Sequence, residues 1–513
     1  MAEKKEKRVD VQSSSFREIV DGEIICAPEA KKTEEQRRQE RVAEAEYRKE
    51  KIERNLGNST AEGIINSAAG SIQNSFMVPF ALLLKATSAE IGILASLYNL
   101  AGTFSHLPGA MLTKFYSRKT IWTVSQILSR ILIWLPVLFL PFINFESRVW
   151  LFIALLMISN FFLFIRGPAW SSLMGDIVPT GERGRYFGKR NTYINIAGMA
   201  ATLAAGFLLA YIGFSGIFAI SIILAGIAIF FFARIYEPPM ERVFHYHYTF
   251  SLKPRDWYNG IIFNRNLVIF TLYLALMNFA MEVAAPFYVV YMIRELQIGY
   301  ELFAVAVVVG VLARAVTTKH WGTINDRYGS RKILIISGFM ACFVPFGWMV
   351  VSGIIDIMLV KVYEGVVFAG FELVIFNYLL EITPAKNRPK YIANHNFLNG
   401  LGTVGGALFG GFLAFSLEGS SFIFLFGLQI VFLVSFLLRL GCFSILLFTK
   451  EADVKQDDIV PVRYVFWQAM AVEPAKEMRR MLSYTFRYPI KIEREVSEGM
   501  KNLKYRFRLK MNR

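Results

Sequence analysis

The sequence predicts an all-α, polytopic membrane protein with 12 transmembrane helices in two parallel-repeat six-helix bundles. The 513-residue chain is 54% apolar and has a mean hydropathy of +0.41, which leaves too few polar residues to cover a soluble protein of this size. Its charges are concentrated at the two ends, because residues 1–55 and 449–513 hold 52 of the 96 charged residues. A soluble enzyme, a disulfide-rich scaffold and a disordered chain are therefore excluded.

Twelve apolar runs are long enough to cross a bilayer, since a membrane-spanning helix needs about 20 such residues. Polar side chains interrupt the first run, and a turn at residues 211–216 alone separates the fifth run from the sixth. The predicted spans are 61–84, 89–112, 120–143, 148–170, 190–212, 215–236, 266–292, 301–324, 331–353, 355–379, 391–416 and 421–448. The corresponding domains are a charged N-terminal tail (1–55), a first bundle (56–236), a central loop (237–265), a second bundle (266–448) and a basic C-terminal tail (449–513).

Basic residues in the short loops predict the orientation, because Lys and Arg are retained on the cytoplasmic side. The loops after spans 2, 4, 8 and 10 carry three or four such residues each, whereas the loops at the other end carry few. Even-numbered spans are therefore expected to end in the cytoplasm, and both tails are expected to be cytoplasmic.

Two loop motifs occur once in each half of the chain. Asp176 and Arg183, after span 4, recur as Glu381 and Arg388 after span 10, displaced by 205 residues. The loop GAMLTKFYSRK after span 2 recurs as GTINDRYGSRK after span 8, displaced by 213 residues. This shift equals six spans with their loops, so the two halves form a repeat with the same orientation in the membrane.

The second of these loops, Gly322-x-x-x-Asp326-Arg327-x-Gly329-x-Arg331-Lys332, resembles the signature loop of the major facilitator superfamily. The acid-x-x-Pro-x-x-x-Arg loops resemble that superfamily's motif after spans 4 and 10. The resemblance covers about residues 56–448 and implies two bundles that rock about a cavity lined by spans 1, 4, 7 and 10. Thr113 stands where the family usually has Asp, so the conformational lock that the resemblance implies is expected in the second half and is in doubt in the first.

We expect these loops to hold ion pairs that break when the halves move. The expected pairs are Asp326 with Arg327 or Arg331, and Asp176 with Arg183; the alternative is that the basic residues only set the topology. The candidate residues of this lock are Gly109, Arg118, Lys119, Asp176, Arg183, Gly322, Asp326, Arg327, Gly329, Arg331, Lys332, Glu381 and Arg388.

Two glutamates within spans are candidates for proton coupling. Glu282 lies near the middle of span 7 and is the first choice, and Glu372 in span 10 is the second. An ionisable side chain inside a span is costly and indicates a function. Burial disfavours the charged form of a carboxyl, which allows it to bind and release a proton near neutral pH. The alternative for Glu282 is a buried pair with an arginine of the same bundle.

Five more residues are candidates for lining a solute cavity. Asn66 and Gln73 are seven residues apart on span 1, and Asn278 precedes Glu282 by four, so each pair shares a helix face. If the resemblance holds, these faces meet in one cavity. Arg166 either lines that cavity or extends to the headgroups, and Glu364 either lines it or has a structural role at its rim. The five candidates are Asn66, Gln73, Arg166, Asn278 and Glu364. Three other arginines, Arg130, Arg314 and Arg439, are expected to form structural pairs or to extend to the headgroups.

No cofactor or metal site is expected. The histidines and cysteines show no convincing metal-ligand spacing, and no nucleotide-binding motif occurs, so an ion or solute gradient must supply the energy. The C-terminal tail combines basic residues with an apolar stripe, which suits the anionic headgroups of the cytoplasmic leaflet rather than nucleic acid.

These features predict a monomeric secondary active transporter in the plasma membrane that works by alternating access and is not an enzyme. We expect it to be coupled to protons and either to export an amphipathic compound or to import a small metabolite. The alternative is a non-transporting membrane sensor or assembly factor on the same fold, which acts through its cytoplasmic tails.

Overall fold

The computed structural model describes residues 17–20, 23–26, 34–143, 145–238, 265–383, 388–422 and 425–450. Most of the predicted central loop and nearly all of the predicted C-terminal tail lie outside the described residues.

The chain divides into two units, Met1–Leu56 and Gly57–Arg513. In the first unit, strands β1 (Arg17–Val20) and β2 (Glu23–Cys26) pair antiparallel, and a long helix begins at Glu34. In the second unit, β3 (Ser421–Phe422) and β4 (Leu425–Phe426) form a short ladder between the last two helices.

Twelve helices lie within the described residues, one for each predicted span, and the predicted fold class is confirmed. They are α1 (Glu34–Leu83), α2 (Ser88–Leu112), α3 (Arg118–Phe142), α4 (Arg148–Ile177), α5 (183–212), α6 (214–233), α7 (Arg265–Glu295), α8 (Tyr300–Tyr328), α9 (Ser330–Met349), α10 (Ile354–Ile382), α11 (Arg388–Ser416) and α12 (Leu428–Leu446).

Gly213 separates α5 from α6 within the continuous run Arg183–Ala233. Its φ of 65° and ψ of −179° are not helical, and glycine adopts this conformation at little cost because it lacks a Cβ. In the described part of the chain nine helical runs are long and apolar enough to cross a membrane, and this run is one of them. The two predicted spans not among the nine are the more polar α1 and α2.

Helix α7 is irregular at the residue that follows Glu282. The regular helix ends at Glu282, a turn follows, and a new helical segment begins at Ala285 with Pro286 in its first turn. Proline has no N–H to donate and interrupts the helical hydrogen-bond ladder, which leaves carbonyls of the preceding turn free for other donors. Next to this break, the Met281 carbonyl accepts the Ala284 N–H at 3.3 Å and also a hydrogen bond from Arg439 of α12 at 3.4 Å.

One large apolar cluster contains buried residues from both halves of the repeat. In it Phe76 of the first half contacts Phe303 of the second edge-on, with ring centroids 5.9 Å apart. This cluster lies towards the end of the molecule that carries the α1–α2 loop. Towards the opposite end, where the basic loops lie, the apolar clusters are separate, one built around Ile165 in the first half and one around Trp321 in the second. Among the described residues, the halves therefore share a buried apolar core towards the α1–α2 loop, whereas towards the basic loops the contact between them continues through α2 and α11, with Phe104 and Phe397 5.7 Å apart.

Helices α2 and α11 form a seam between the halves through glycine. A Cβ added at Gly92 of α2 would lie 2.3 Å from the Cα of Gly411 in α11, so the backbones touch. Further along, Ser96 donates a hydrogen bond to the Val404 carbonyl at 3.1 Å. On another face of α11, a Cβ added at Gly410 would lie 2.3 Å from the carbonyl oxygen of Val283 in α7.

Candidate functional site

A ladder of polar side chains runs along one face of α1 inside the first half. Its first rung is the ion pair between Glu62 and Arg190 of α5, in which Nη2 and Oε2 are 3.2 Å apart. Both side chains are almost fully buried, with 2% and 8% of their surface exposed. Arg190 also donates to the Ser59 carbonyl at 3.2 Å and lies over the ring of Trp170.

The second rung begins one helical turn further along α1, at Asn66. Its carboxamide oxygen accepts a hydrogen bond of 3.0 Å from Gln126 Nε2 of α3. The carbonyl oxygen of the same Gln126 side chain accepts from Arg166 of α4, whose guanidinium lies 5.3 Å from the ring centre of Trp122.

The third rung joins Gln73 of α1 to Arg130 of α3. Arg130 donates to the Gln73 side chain, and Gln73 Nε2 donates to the Arg130 carbonyl at 3.5 Å. Gly70 makes room for the guanidinium, because a Cβ added there would lie 2.9 Å from Arg130 Nη2. Arg130 is 6% exposed, and its Nε atom is buried without a hydrogen-bond partner.

The structure thus brings three of the predicted cavity residues, Asn66, Gln73 and Arg166, into one ladder. Glu62 is not among the residues predicted from the sequence, because it lies at the first turn of the predicted first span, whereas α1 begins well before that residue. The spacing of four residues between Glu62 and Asn66 is the signal that indicates a shared face.

In the second half, Glu282 lies half-buried on α7 without a hydrogen bond or an ion pair to any described residue. The nearby Arg439 is buried but is bound by neutral acceptors. Besides the Met281 carbonyl, it donates to the Ala341 carbonyl at 2.8 Å and to the Tyr288 hydroxyl at 3.3 Å. Glu282 forms no hydrogen bond with Arg439, but the two side chains are near enough to interact electrostatically, so both predictions for Glu282 stay open.

The other candidates of the second half lie in separate contacts. Glu372 pairs with Arg314 of α8, and both side chains are about half exposed. Glu364 accepts from Trp348 Nε1 at 2.6 Å and from Lys361 Nζ at 2.8 Å, which is a brace between α9 and α10. Asn278 is half-buried on α7. Among the described residues these side chains form no common hydrogen-bonded group with Glu282.

In the loop motif of the first half, Arg118 forms a network of ion pairs and hydrogen bonds, and its side chain is 1% exposed. Its guanidinium pairs with Asp176 at the end of α4 and, at 3.2 Å, with Glu237 beyond α6. The Glu237 carboxylate also accepts the backbone N–H of Arg118 at 2.9 Å, at the start of α3. Lys119 donates to the Ile235 carbonyl at 2.9 Å. The expected pair of Asp176 with Arg183 is wrong, because Arg183 donates instead to carbonyls of its own loop.

The equivalent loop of the second half has different contacts. Asp326 is exposed and, within the described ranges, forms no ion pair, so the expected pairs with Arg327 and Arg331 are absent there. Arg331 donates to the Leu447 carbonyl at 3.3 Å, and Ser330 donates to Glu381. The first half thus holds ion pairs at this loop although it has Thr113 in place of the family's Asp.

The remaining loop candidates have backbone roles or lie at the surface. A Cβ added at Gly109 would lie 2.3 Å from the Ile165 carbonyl oxygen, which brings α2 close to α4. Gly329 joins α8 to α9 with a φ of 84°, whereas a Cβ added at Gly322 would lie at an ordinary contact distance of 3.9 Å from Leu373, and Lys332 is half-buried. The side chain of Arg388 is outside the described residues.

The described residues contain no group of three or more His, Cys, Asp or Glu side chains that could hold a metal ion. The chemistry that the site offers is therefore that of arginines, amides, aromatic rings and one unpaired carboxyl within a membrane-embedded helix bundle.

Several solved structures share this fold at low sequence identity. The nucleoside transporter NupG superposes with a TM-score of 0.60 at 15% identity, over 75% of this chain and 98% of that chain. A D-xylose-proton symporter superposes with a TM-score of 0.56 at 14% identity, over 79% and 98%. A bacterial homologue of the human lysosomal transporter Spinster, in an inward-facing and occupied conformation, gives 0.57 at 12% identity, over 77% and 96%.

No curated protein matches the chain in sequence. The family model described as Major Facilitator Superfamily matches it twice, over residues 58–376 and 271–478. The two matches together cover most of the chain, and their starts differ by the same 213 residues as the two signature loops. This integral membrane protein therefore belongs to the Major Facilitator Superfamily.

Proposed function

We propose that the protein is a secondary active transporter that moves a small solute by alternating access and couples this movement to protons. The observation that carries the proposal is the unequal contact between the halves. They share one apolar core towards the α1–α2 loop, whereas their cores are separate towards the basic loops. A pathway closed at one end and open at the other is what alternating access requires of a single state.

The basic loops support an orientation in which both termini are cytoplasmic, in the plasma membrane. We propose that the state described above opens towards the cytoplasm. The inward-facing conformation named for the Spinster homologue agrees with this assignment. We further propose that the chain acts as a monomer whose C-terminal tail binds anionic headgroups, since residues 476–513 contain twelve Lys and Arg but four Glu.

Glu282 is the proposed proton site. Its carboxyl lies next to the break in α7 and forms no hydrogen bond or close ion pair with a described residue, although Arg439 is near enough to interact with it electrostatically. Protonation therefore changes its charge without breaking a described hydrogen bond. Glu372 is the second choice, because protonation there would break its pair with Arg314. A carboxyl that gains or loses charge beside a helix break can shift the balance between two conformations of the bundle.

The proposal is tested with purified protein in liposomes that contain a pH-sensitive dye. Candidate solutes of several classes are added outside, and the change of internal pH is followed for the wild type and for Glu282→Gln. We expect a solute-dependent pH change that falls about tenfold or more in the variant, since each tenfold step corresponds to about 1.4 kcal/mol. The matched control is Glu418→Gln, which removes a half-exposed carboxylate paired with Arg294.

An equal pH change in Glu282→Gln and the wild type would exclude Glu282 as the coupling site. Solute uptake without any pH change would exclude proton coupling while transport remained. Absence of flux for every solute class would contradict the transport proposal and favour a sensor or assembly role.

A further inference from the structure

The polar ladder of the first half carries more positive than negative charge. It contains three arginines, Arg130, Arg166 and Arg190, but one carboxylate, Glu62, which is paired with Arg190. The other acidic residues between 57 and 238 lie at helix ends or in loops, and two of them bind Arg118. The guanidinium groups of Arg130 and Arg166 lie outside that ion pair, although Glu62 is near enough to Arg166 to interact with it electrostatically. The ladder therefore has an excess of two positive charges.

These two guanidinium groups have neutral partners. Arg130 binds the Gln73 side chain, and Arg166 binds the Gln126 side chain; neither forms an ion pair with any described residue. The two groups are near enough to each other to interact electrostatically. An unpaired charge taken out of water costs several kcal/mol, and two like charges in one place add to this cost. An anion between them removes both penalties.

The donors of Arg130 and Arg166 are suited to an oxyanion. Arg130 is more than nine-tenths buried and still has an unused Nε–H. Arg166 is partly exposed and is held by Gln126 on one side and by the face of Trp122 on the other, which fixes the plane of its guanidinium. A fixed guanidinium plane offers parallel N–H donors that match the oxygens of a carboxylate or a phosphate.

We propose that the solute of this transporter carries an anionic group, a carboxylate or a phosphate, which Arg166 and Arg130 bind within the first half. That the bound anion is the transported solute rests on the proposed function, but binding of an anion at this site can be tested without measuring flux. Glu282 in the other half then has a matching role, because a proton taken up there offsets the charge that the anion brings into the membrane.

The experiment measures thermal unfolding of the purified full-length protein in detergent at constant ionic strength. The probes are benzoate, succinate, inorganic phosphate and glucose 6-phosphate, with benzamide and glucose as neutral matches. We expect at least one anion at about 10 mM to raise the Tm by about 1–3 °C, whereas its neutral match leaves the Tm unchanged. The comparison between carboxylates and phosphates identifies which anionic group is bound.

Two variants assign this shift to the ladder. In Arg166→Gln the shift is expected to disappear, whereas in Arg166→Lys, which keeps the charge but loses the parallel donors, at least a tenfold higher anion concentration is expected to be needed. The control Arg294→Gln removes a half-exposed arginine near the opposite end and should leave the shift intact. Size-exclusion profiles show whether each variant is folded.

The proposal is overturned if no anion raises the Tm of the wild type, or if Arg166→Gln keeps the full shift. It is also overturned if benzamide or glucose stabilises the protein as well as its anionic match. Proton-coupled flux of an uncharged solute combined with no anion effect would remove the anion site and leave the transport function standing. An Arg166-dependent shift of the Tm without flux of any solute would support the anion site and contradict the transport function.

Discussion

Replacement of Glu62 by Gln should destabilise the protein through the charge that is left on Arg190. Both side chains of this pair are more than nine-tenths buried, and their charged atoms are 3.2 Å apart. Removal of one partner from a buried ion pair costs about 3–5 kcal/mol, mainly because the other charge stays buried and unpaired. Arg190 keeps its bond to the Ser59 carbonyl and its contact with Trp170, so we expect the lower end of this range, about 3 kcal/mol.

Thermal unfolding in detergent measures the effect, with an expected decrease in Tm of about 3–6 °C for a chain of this length. The double variant Glu62→Gln with Arg190→Gln removes both charges and leaves two side chains that can hydrogen-bond to each other. It should recover most of the lost stability, with a coupling energy of about 2 kcal/mol or more. If the two single effects simply add in the double variant, Glu62 and Arg190 do not interact as described and the reasoning is refuted.

Three further predictions concern the seam, the loops and the ladder. Gly92→Leu should cost about 2–3 kcal/mol in thermal unfolding because a Cβ would fall 2.3 Å from the α11 backbone, whereas the control Gly226→Leu, which has open space, should change stability little. Arg118→Gln should cost about 2 kcal/mol, since it leaves two carboxylates without their cation, but the repeat-equivalent Arg331→Gln should cost less than about 1 kcal/mol; equal costs would contradict the asymmetry of the loops. Arg166→Gln, without any anion, should unfold at or above the wild-type temperature, because it removes an uncompensated charge; a clear decrease in Tm would identify Arg166 as a structural brace.

The sequence was sufficient to predict the features that depend on local composition. Each of the twelve apolar runs contains a helix, because an apolar run of that length and its polar boundaries are properties of contiguous residues. The prediction of 421–448 as one span is wrong at its start, where β3 and β4 precede the helix that begins at Leu428. The separation of α5 from α6 was predicted from a turn that contains Gly213, and the structure has its non-helical residue there.

Pairings between distant residues could not be predicted in this way. Asp176 lies seven residues from Arg183, yet its partner is Arg118, 58 residues away, because the ends of α4 and α6 meet at the start of α3. The depth of Glu62 within α1 depended on where the helix begins. The polar residues before Glu62 do not reveal that start, because they lack the apolar pattern of a membrane span. Arg439 is bound by neutral groups, the Met281 and Ala341 carbonyls and the Tyr288 hydroxyl, which no spacing rule for charged residues predicts.

The glycine contacts of α11 form a short mechanical linkage between the proposed proton site and the other half of the protein. Gly410 lies against the carbonyl of Val283, the neighbour of Glu282, and Gly411 lies against Gly92. Backbone meets backbone at both contacts, so no flexible side chain can absorb a displacement. A small tilt of the α7 turn that carries Glu282 therefore displaces Gly410 and, through the adjacent Gly411, the α2 backbone of the other bundle.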